Sequence, residues 1–273
     1  MGNETILYYV TQDKILGDCN VLPELLAKRA GRKKIWQKER LPFFMVEQDN
    51  LTIYTILIPT KEKKWKPEKL LRLMQNTQET WQNDFAKRQI VLQQDIAAIL
   101  HWEKEEIPDT FLLLSDKILG LQKKDFDSVV LLLGNVVFPE VQMRYFIEVM
   151  QPFFSRINHL SILYATDEEE QERWQDVVEE YAEAFYFEYG LMTQILGTKG
   201  KIGQRTLFLD YGYAGEIPLR MMRAGDIYLD VAAAGKKEML LKRKCAEVSY
   251  LSPLKYLDTT VKSGYDKLVH LCK

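Results

Sequence analysis

The chain is short of the residues that most often announce a function. Its three histidines (His101, His159, His270) and three cysteines (Cys19, Cys245, Cys272) are scattered over 273 residues. No CxxC occurs, and apart from His270 and Cys272 at the end of the chain no His and Cys stand close, so local spacing spells out neither a metal site nor a thiol redox motif. The odd, widely spaced cysteines argue for a reduced, cytoplasmic setting. Cys19, in GDCN, has no basic neighbour to activate its thiol. No apolar run is long enough to span a bilayer, so no membrane partner is expected. MGNETILYYV carries an early acid and no basic n-region, so no secretory leader is expected, and Ile6 breaks the myristoylation pattern that Gly2 begins. A dominant charge is missing too: a net charge of -2 gives no overall attraction to nucleic acid or membrane.

What is present is unevenly placed. Residues 1–74 hold 14 Lys+Arg against 9 Asp+Glu, whereas residues 160–190 hold one Arg against 10 acids. A hydrophobic content of 47% over this length is enough for one large domain or two ordinary ones.

From Asp127 onward, apolar runs of strand length alternate with helical patterns. The runs are VVLLL (129–133), LSILYA (160–165), LMTQIL (191–196), TLFLD (206–210), IYLDVA (227–232) and EVSYL (247–251). Near-continuous apolarity suits strands covered on both faces, and strand–helix alternation predicts a parallel sheet with right-handed crossovers. Pro139 suits a first helical turn, followed by a stripe of Val141, Tyr145, Ile147, Val149 and Phe153. An acid-led helix follows Thr166-Asp167 and stops at Gly190. KKEMLLKRK gives a short basic helix, and the closing helix after Pro253 is expected to break at Gly264. The link of residues 197–205 leaves no room for a crossover helix, so it is a tight hairpin or a loop across the sheet. The expected fold class is α/β. Residues 126–273 form a Rossmann-like, mostly parallel domain, preceded by an α+β domain over residues 1–125.

In that first half, ILYYV (6–10) reads as a strand, LPELLAKRAG (22–31) as a helix, and FFMVEQ–DN–LTIYTILIP (43–59) as a hairpin about Asp49-Asn50. A helix opens at Pro67 with Leu70, Leu71, Met74, Trp81 and Phe85 as its buried stripe, and residues 90–121 read as mostly helical.

Ligands of parallel sheets bind beyond the carboxyl ends of the strands, which selects the candidate site residues. The first turn, Gly134-Asn135-Val136-Val137-Phe138-Pro139, has one glycine where a dinucleotide fingerprint needs three, so a standard NAD or FAD pose is not expected. Asn135 is left to meet a small polar ligand, unless the turn is purely structural. Asp167 stands where a ribose-binding acid would, though capping alone also explains it. The richest segment is TLFLDYGYAGEIPLR (206–220), read as strand, turn and helix. Gly212 and Gly215 permit close backbone approach, Tyr211 and Tyr213 can flank a ring, and Asp210 and Glu216 can bind hydroxyls, a cation or a proton. A tight turn with a capping acid is the plainer explanation.

In outline this segment resembles the acid-x-Gly-x-Gly turn by which methyltransferases hold their cofactor. Ala214 precedes Gly215, however, and the turn follows the fourth strand rather than the first, so that family is not assigned. GDIYLDVAAAGKKE (225–238) resembles the late strands of amino-acid and shikimate dehydrogenase-type domains over about fifteen residues, which implies the fold alone; Asp230 falls inside that strand or just at its end. The basic stretches KRAGRKKIWQKER (28–40) and KEKKWKP (61–67), with Trp36 and Trp65, offer a face for nucleic acid or for an acidic helix. The two weigh equally for this face, the acidic helix being that around Glu168–Glu183 of a partner copy or of the same chain, and a solvated surface is the plainer explanation of both. The sequence reading is therefore a module for a small molecule or nucleotide bound between the halves, with a protein-interaction role as the alternative and nucleic-acid binding through the basic N-terminal face as the second. No catalytic residue, cofactor or metal is assigned.

Overall fold

A computed structural model describes residues 5–16, 41–48, 51–60, 65–78, 89–101, 109–121, 126–134, 139–164, 168–195, 205–213, 217–232 and 236–272. The protein is α/β, and its two sheets belong to two compact units. One comprises Met1–Glu103 with Leu257–Lys273, and the other comprises Lys104–Tyr256. Among the described residues no helix is long and apolar enough to cross a membrane.

The first unit holds β1 (Thr5–Gln12), β2 (Phe43–Gln48), β3 (Leu51–Ile58) and β4 (Gln89–Leu92), with α1 (Pro67–Gln78) and α2 (Gln94–Ile99). The sheet order is β2-β3-β1-β4. β1 runs parallel to both β3 and β4, and Leu7, Tyr8, Tyr9 and Val10 are all buried, as a strand covered on both faces requires. β2 and β3 pair antiparallel with Gln48 opposite Leu51, so they flank Asp49-Asn50 as the hairpin reading expects.

Three readings are corrected in this unit. Residues 89–92 are a strand rather than part of a helical stretch, because QIVL completes the sheet beside β1. On α1 the buried apolar residues are Leu70, Leu73 and Met74, with Leu71 exposed; Trp81 and Phe85 lie outside the described residues, as does the helix expected at 22–31. The closing helix runs unbroken from Pro253 to Cys272, and most of its length belongs to this unit. A Cβ at Gly264 would lie 2.6 Å from Val46 Cγ1, so this glycine admits β2 against the helix instead of ending it.

The second unit contains β5 (Ser128–Leu133), β6 (His159–Leu163), β7 (Thr193–Ile195), β8 (Thr206–Tyr211), β9 (Ile227–Asp230) and β10 (Ser249–Leu251). All are parallel, in the order β10-β9-β8-β5-β6-β7. All six strands expected from the apolar runs are present. β7 and β8 are parallel with β6 and β5 between them, so the 197–205 link cannot make a hairpin.

The helices here are α3 (Asp109–Leu121), α4 (Pro139–Met150), α5 (Glu168–Tyr189) and α6 (Lys236–Lys244); the closing helix Pro253–Cys272 is α7. α4 buries Met143, Phe146, Val149 and Met150; of the expected stripe Val149 is buried, Tyr145, Ile147 and Phe153 are half-buried, and the Val141 side chain lies outside the described residues. α5 stops where Gly190 takes φ +66°, with Gly190 N–H donating to Tyr186 O and Leu191 N–H to Phe185 O. The helix expected after Glu216 is only a 3-10 turn, Leu219–Met221.

Candidate functional site

Read outward from β5, the strand order ascends through β6 and β7 on one side and through β8, β9 and β10 on the other. It therefore reverses between β5 and β8, and crossovers leaving in opposite directions open a crevice at such a point. The register sets Leu133, the last residue of β5, beside Tyr211, the last of β8. Gly134 and Gly212 follow immediately.

These two glycines explain each other. A Cβ on Gly134 would stand 2.0 Å from the Gly212 carbonyl oxygen and 2.7 Å from Tyr213 N. Only glycine lets the two backbones cross so closely. Gly212 takes φ +92°, the left-handed region, as the chain turns out of β8. Gly134 O accepts a hydrogen bond from Trp174 Nε1 at 3.3 Å, tying α5 to the same corner. The single glycine of the first turn thus makes room for a neighbouring backbone.

Asp210 is fully buried on β8 and accepts from every side. Its Oδ1 takes the N–H groups of Gly212 (2.9 Å) and Tyr213 (2.8 Å), and its Oδ2 takes the Tyr228 hydroxyl and Lys237 Nζ. Lys237 also donates to Tyr213 O at 2.9 Å, so one cation and one carboxylate clasp the turn from both ends. With four donors in place, Asp210 holds the turn, and the protein's own groups take up its lone pairs. Burial, and then the Asp210 charge, push the Tyr228 phenol far above its ordinary range, so Tyr228 remains a donor.

Asp230 is the register partner of Asp210 on β9 and is equally buried. Its Oδ2 accepts from the Tyr250 hydroxyl at 2.8 Å, and burial followed by the Asp230 charge raises that phenol. Phe208, Tyr228 and Tyr250 stack across three neighbouring strands, with ring centroids 6.3 and 6.2 Å apart. Alternation along the strands sets this ladder on the same face as both acids.

Tyr211 points to the opposite face from Asp210 by the same alternation. It is buried, its hydroxyl has no hydrogen-bond partner among the described residues, and burial raises its phenol. Tyr213 is buried beside Asp210; burial first, then that charge, raise it.

Of the residues singled out in the sequence, Gly134, Asp210, Tyr211, Gly212 and Tyr213 come together at the β5–β8 corner, and Asp230 stands one strand away. Asn135, Asp167, Gly215 and Glu216 lie outside the described residues. Sequence reasoning missed Trp174, Tyr228, Lys237 and Tyr250. Tyr228 carried a usable signal, since it stands two residues before Asp230 and so shares its face. Lys237 carried none beyond its place in a basic helix. Among the described residues, no three His, Cys, Asp or Glu side chains gather as metal ligands. No family model, no curated protein and no solved structure matches the chain.

Proposed function

We propose that the second unit is a Rossmann-like binding module that receives a small molecule at the carboxyl ends of β5 and β8. The observation that carries this reading is the Tyr211 hydroxyl, buried at the end of β8, beside the strand-order reversal, with no partner among the described residues. A buried hydroxyl left unmade costs about 1–3 kcal/mol, which a ligand with a hydrogen-bonding group recovers on binding. The close passage of Gly134 against Gly212 favours a compact ligand over a dinucleotide whose pyrophosphate must run along the first turn. Asp210, already holding four donors, anchors the turn that shapes the site.

The saturation of Asp210 also favours a second reading, in which the unit retains the fold for protein contacts and binds no metabolite. A thermal-shift screen with nucleotides, nicotinamides, flavins, S-adenosylmethionine and common metabolites separates the two. At a hundred times its dissociation constant a ligand adds about 2.7 kcal/mol. The expected result is a compound that stabilises the wild type and loses most of its effect on Tyr211→Phe. That substitution removes only the unpaired hydroxyl, so the unliganded protein is expected to be no less stable than before. A screen in which nothing binds, or in which Tyr211→Phe responds fully, overturns the ligand reading.

A further inference from the structure

Two exposed patches of the second unit complement each other in charge, and both are apolar. The first lies where α5 meets the edge strand β7. The helix buries Trp174, Val177, Val178 and Phe185, but its last turn leaves Phe187 81% exposed beside Tyr186, the two rings 5.7 Å apart and edge-on. Beyond the Gly190 stop, Leu191 turns inward and Met192 is 76% exposed. Around them Glu180, Glu183 and Glu188 are exposed, and no Lys or Arg occurs between Trp174 and Ile195. This is an apolar knob in an acidic surround.

The second patch is on α6. Leu241 packs into the core with Tyr228 and Tyr250, whereas Met239 is 72% exposed and Leu240 also reaches solvent. Exposed Lys242, Arg243 and Lys244 follow them. Lys242 is paired with Glu238 at 2.8 Å, but Arg243 and Lys244 have no ion pair among the described residues. This face is apolar and basic.

The positions of the patches decide what each can cover. α5 leads into β7, one edge of the sheet, and α6 leads into β10, the other edge. Four strands stand between those edges, so the patches cannot meet within one unit. Two copies of the first patch facing each other would set acid against acid, which disfavours a two-fold dimer through α5. The arrangement that pairs unlike charges and covers both apolar faces is a head-to-tail one, with different surfaces on the two copies.

We propose that copies of this chain associate head to tail, the Phe187–Met192 patch of one seated on the Met239–Leu240 face of α6 of the next. Such contacts close into a ring or extend as an open chain, depending on the rotation between copies. The binding site proposed above plays no part in this assembly.

Sedimentation velocity over a concentration series tests it, with three variants whose changes are all at exposed positions. Glu183→Lys/Glu188→Lys makes the first patch basic, Arg243→Glu/Lys244→Glu makes the second acidic, and Phe187→Ser removes the largest apolar contact. Wild type is expected to grow with concentration and to dissociate as salt is raised. Each variant alone is expected to sediment as a monomer with unchanged circular dichroism. The equimolar mixture of the two charge-reversed variants is expected to associate again, because each then meets an opposite charge only on the other. A wild type that remains monomeric at its highest soluble concentration overturns the proposal. So does either charge-reversed variant associating alone as wild type does, or a mixture that stays monomeric.

Discussion

Asp258 on α7 and Asp210 on β8 are both carboxylates carried into packed surroundings, one in each unit, and they are held in different ways. Asp258 is partly buried and accepts a single described hydrogen bond, from the Tyr9 hydroxyl at 2.6 Å. Burial pushes its carboxyl above the usual range, against the Tyr9 hydrogen bond and the Lys14 charge, which pull it down. Asp210 is wholly buried, and two backbone N–H groups, a phenol and an ammonium surround it. One donor pins a helix to a strand, whereas four donors define the path of a turn. Burial becomes tolerable for a carboxylate in proportion to the donors aimed at it, and a fully satisfied acid is a part of the scaffold.

The contrast is sharpest in what each acid loses when altered. Asp210→Asn should have the largest effect, about 3–5 kcal/mol by chemical denaturation, because it removes the charge that pairs the Lys237 ammonium and replaces the oxygen that accepts from both Lys237 and Tyr228 with a donor. A loss under 1 kcal/mol would mean that the clasp contributes little. Gly134→Ala follows, at about 3 kcal/mol, since its methyl meets a backbone carbonyl that has nowhere to go. Tyr9→Phe should cost about 1.5–3 kcal/mol at neutral pH, the worth of a hydrogen bond to a charged group.

The sign of the pH dependence at Asp258 follows from its raised carboxyl. The folded state holds this proton more tightly than the unfolded chain does. The stability Asp258 contributes is thus fully present below the unfolded value and is lost as pH rises through the folded one. Removing the Tyr9 donor raises the folded value further, so the penalty of Tyr9→Phe should shrink in acid. Urea titrations from the acid range to neutrality check this, and a penalty independent of pH would sever Tyr9 from Asp258. The smallest effect is expected for Gly264→Ala. Its methyl would press on the buried, β-branched Val46, 2.6 Å from Cγ1 and 3.2 Å from Cβ, and about 1 kcal/mol of helix propensity offsets only part of that crowding, leaving a net loss of about 1–2 kcal/mol.

The sequence was a good guide to the parallel sheet and a poor one to its polar interior. Strands buried on both faces need near-continuous apolar runs, so β5, β6, β8 and β9 are visible as composition alone. β4 escaped because four residues, QIVL, carry no period and run straight on toward a helix. Gly264 reads as a break by propensity, while tertiary packing against Val46 uses it as a gap. Asp210 was recognised from its place at a strand end, but its partners Tyr228 and Lys237 lie 18 and 27 residues on. They meet it only because β9 pairs with β8, and local spacing carries no record of that adjacency.

Trp174 gives the corner it braces an optical handle. The chain has five tryptophans, and Trp36, Trp65, Trp81 and Trp102 all belong to the first unit. Fluorescence from the second unit therefore arises at one indole, buried and hydrogen-bonded to the Gly134 carbonyl. Any event that loosens the crossing of Gly134 and Gly212 frees that N–H to water and moves the emission to longer wavelength. With the other four tryptophans replaced by phenylalanine, the protein becomes a dye attached to its own strand-order reversal, and its colour can be followed in real time.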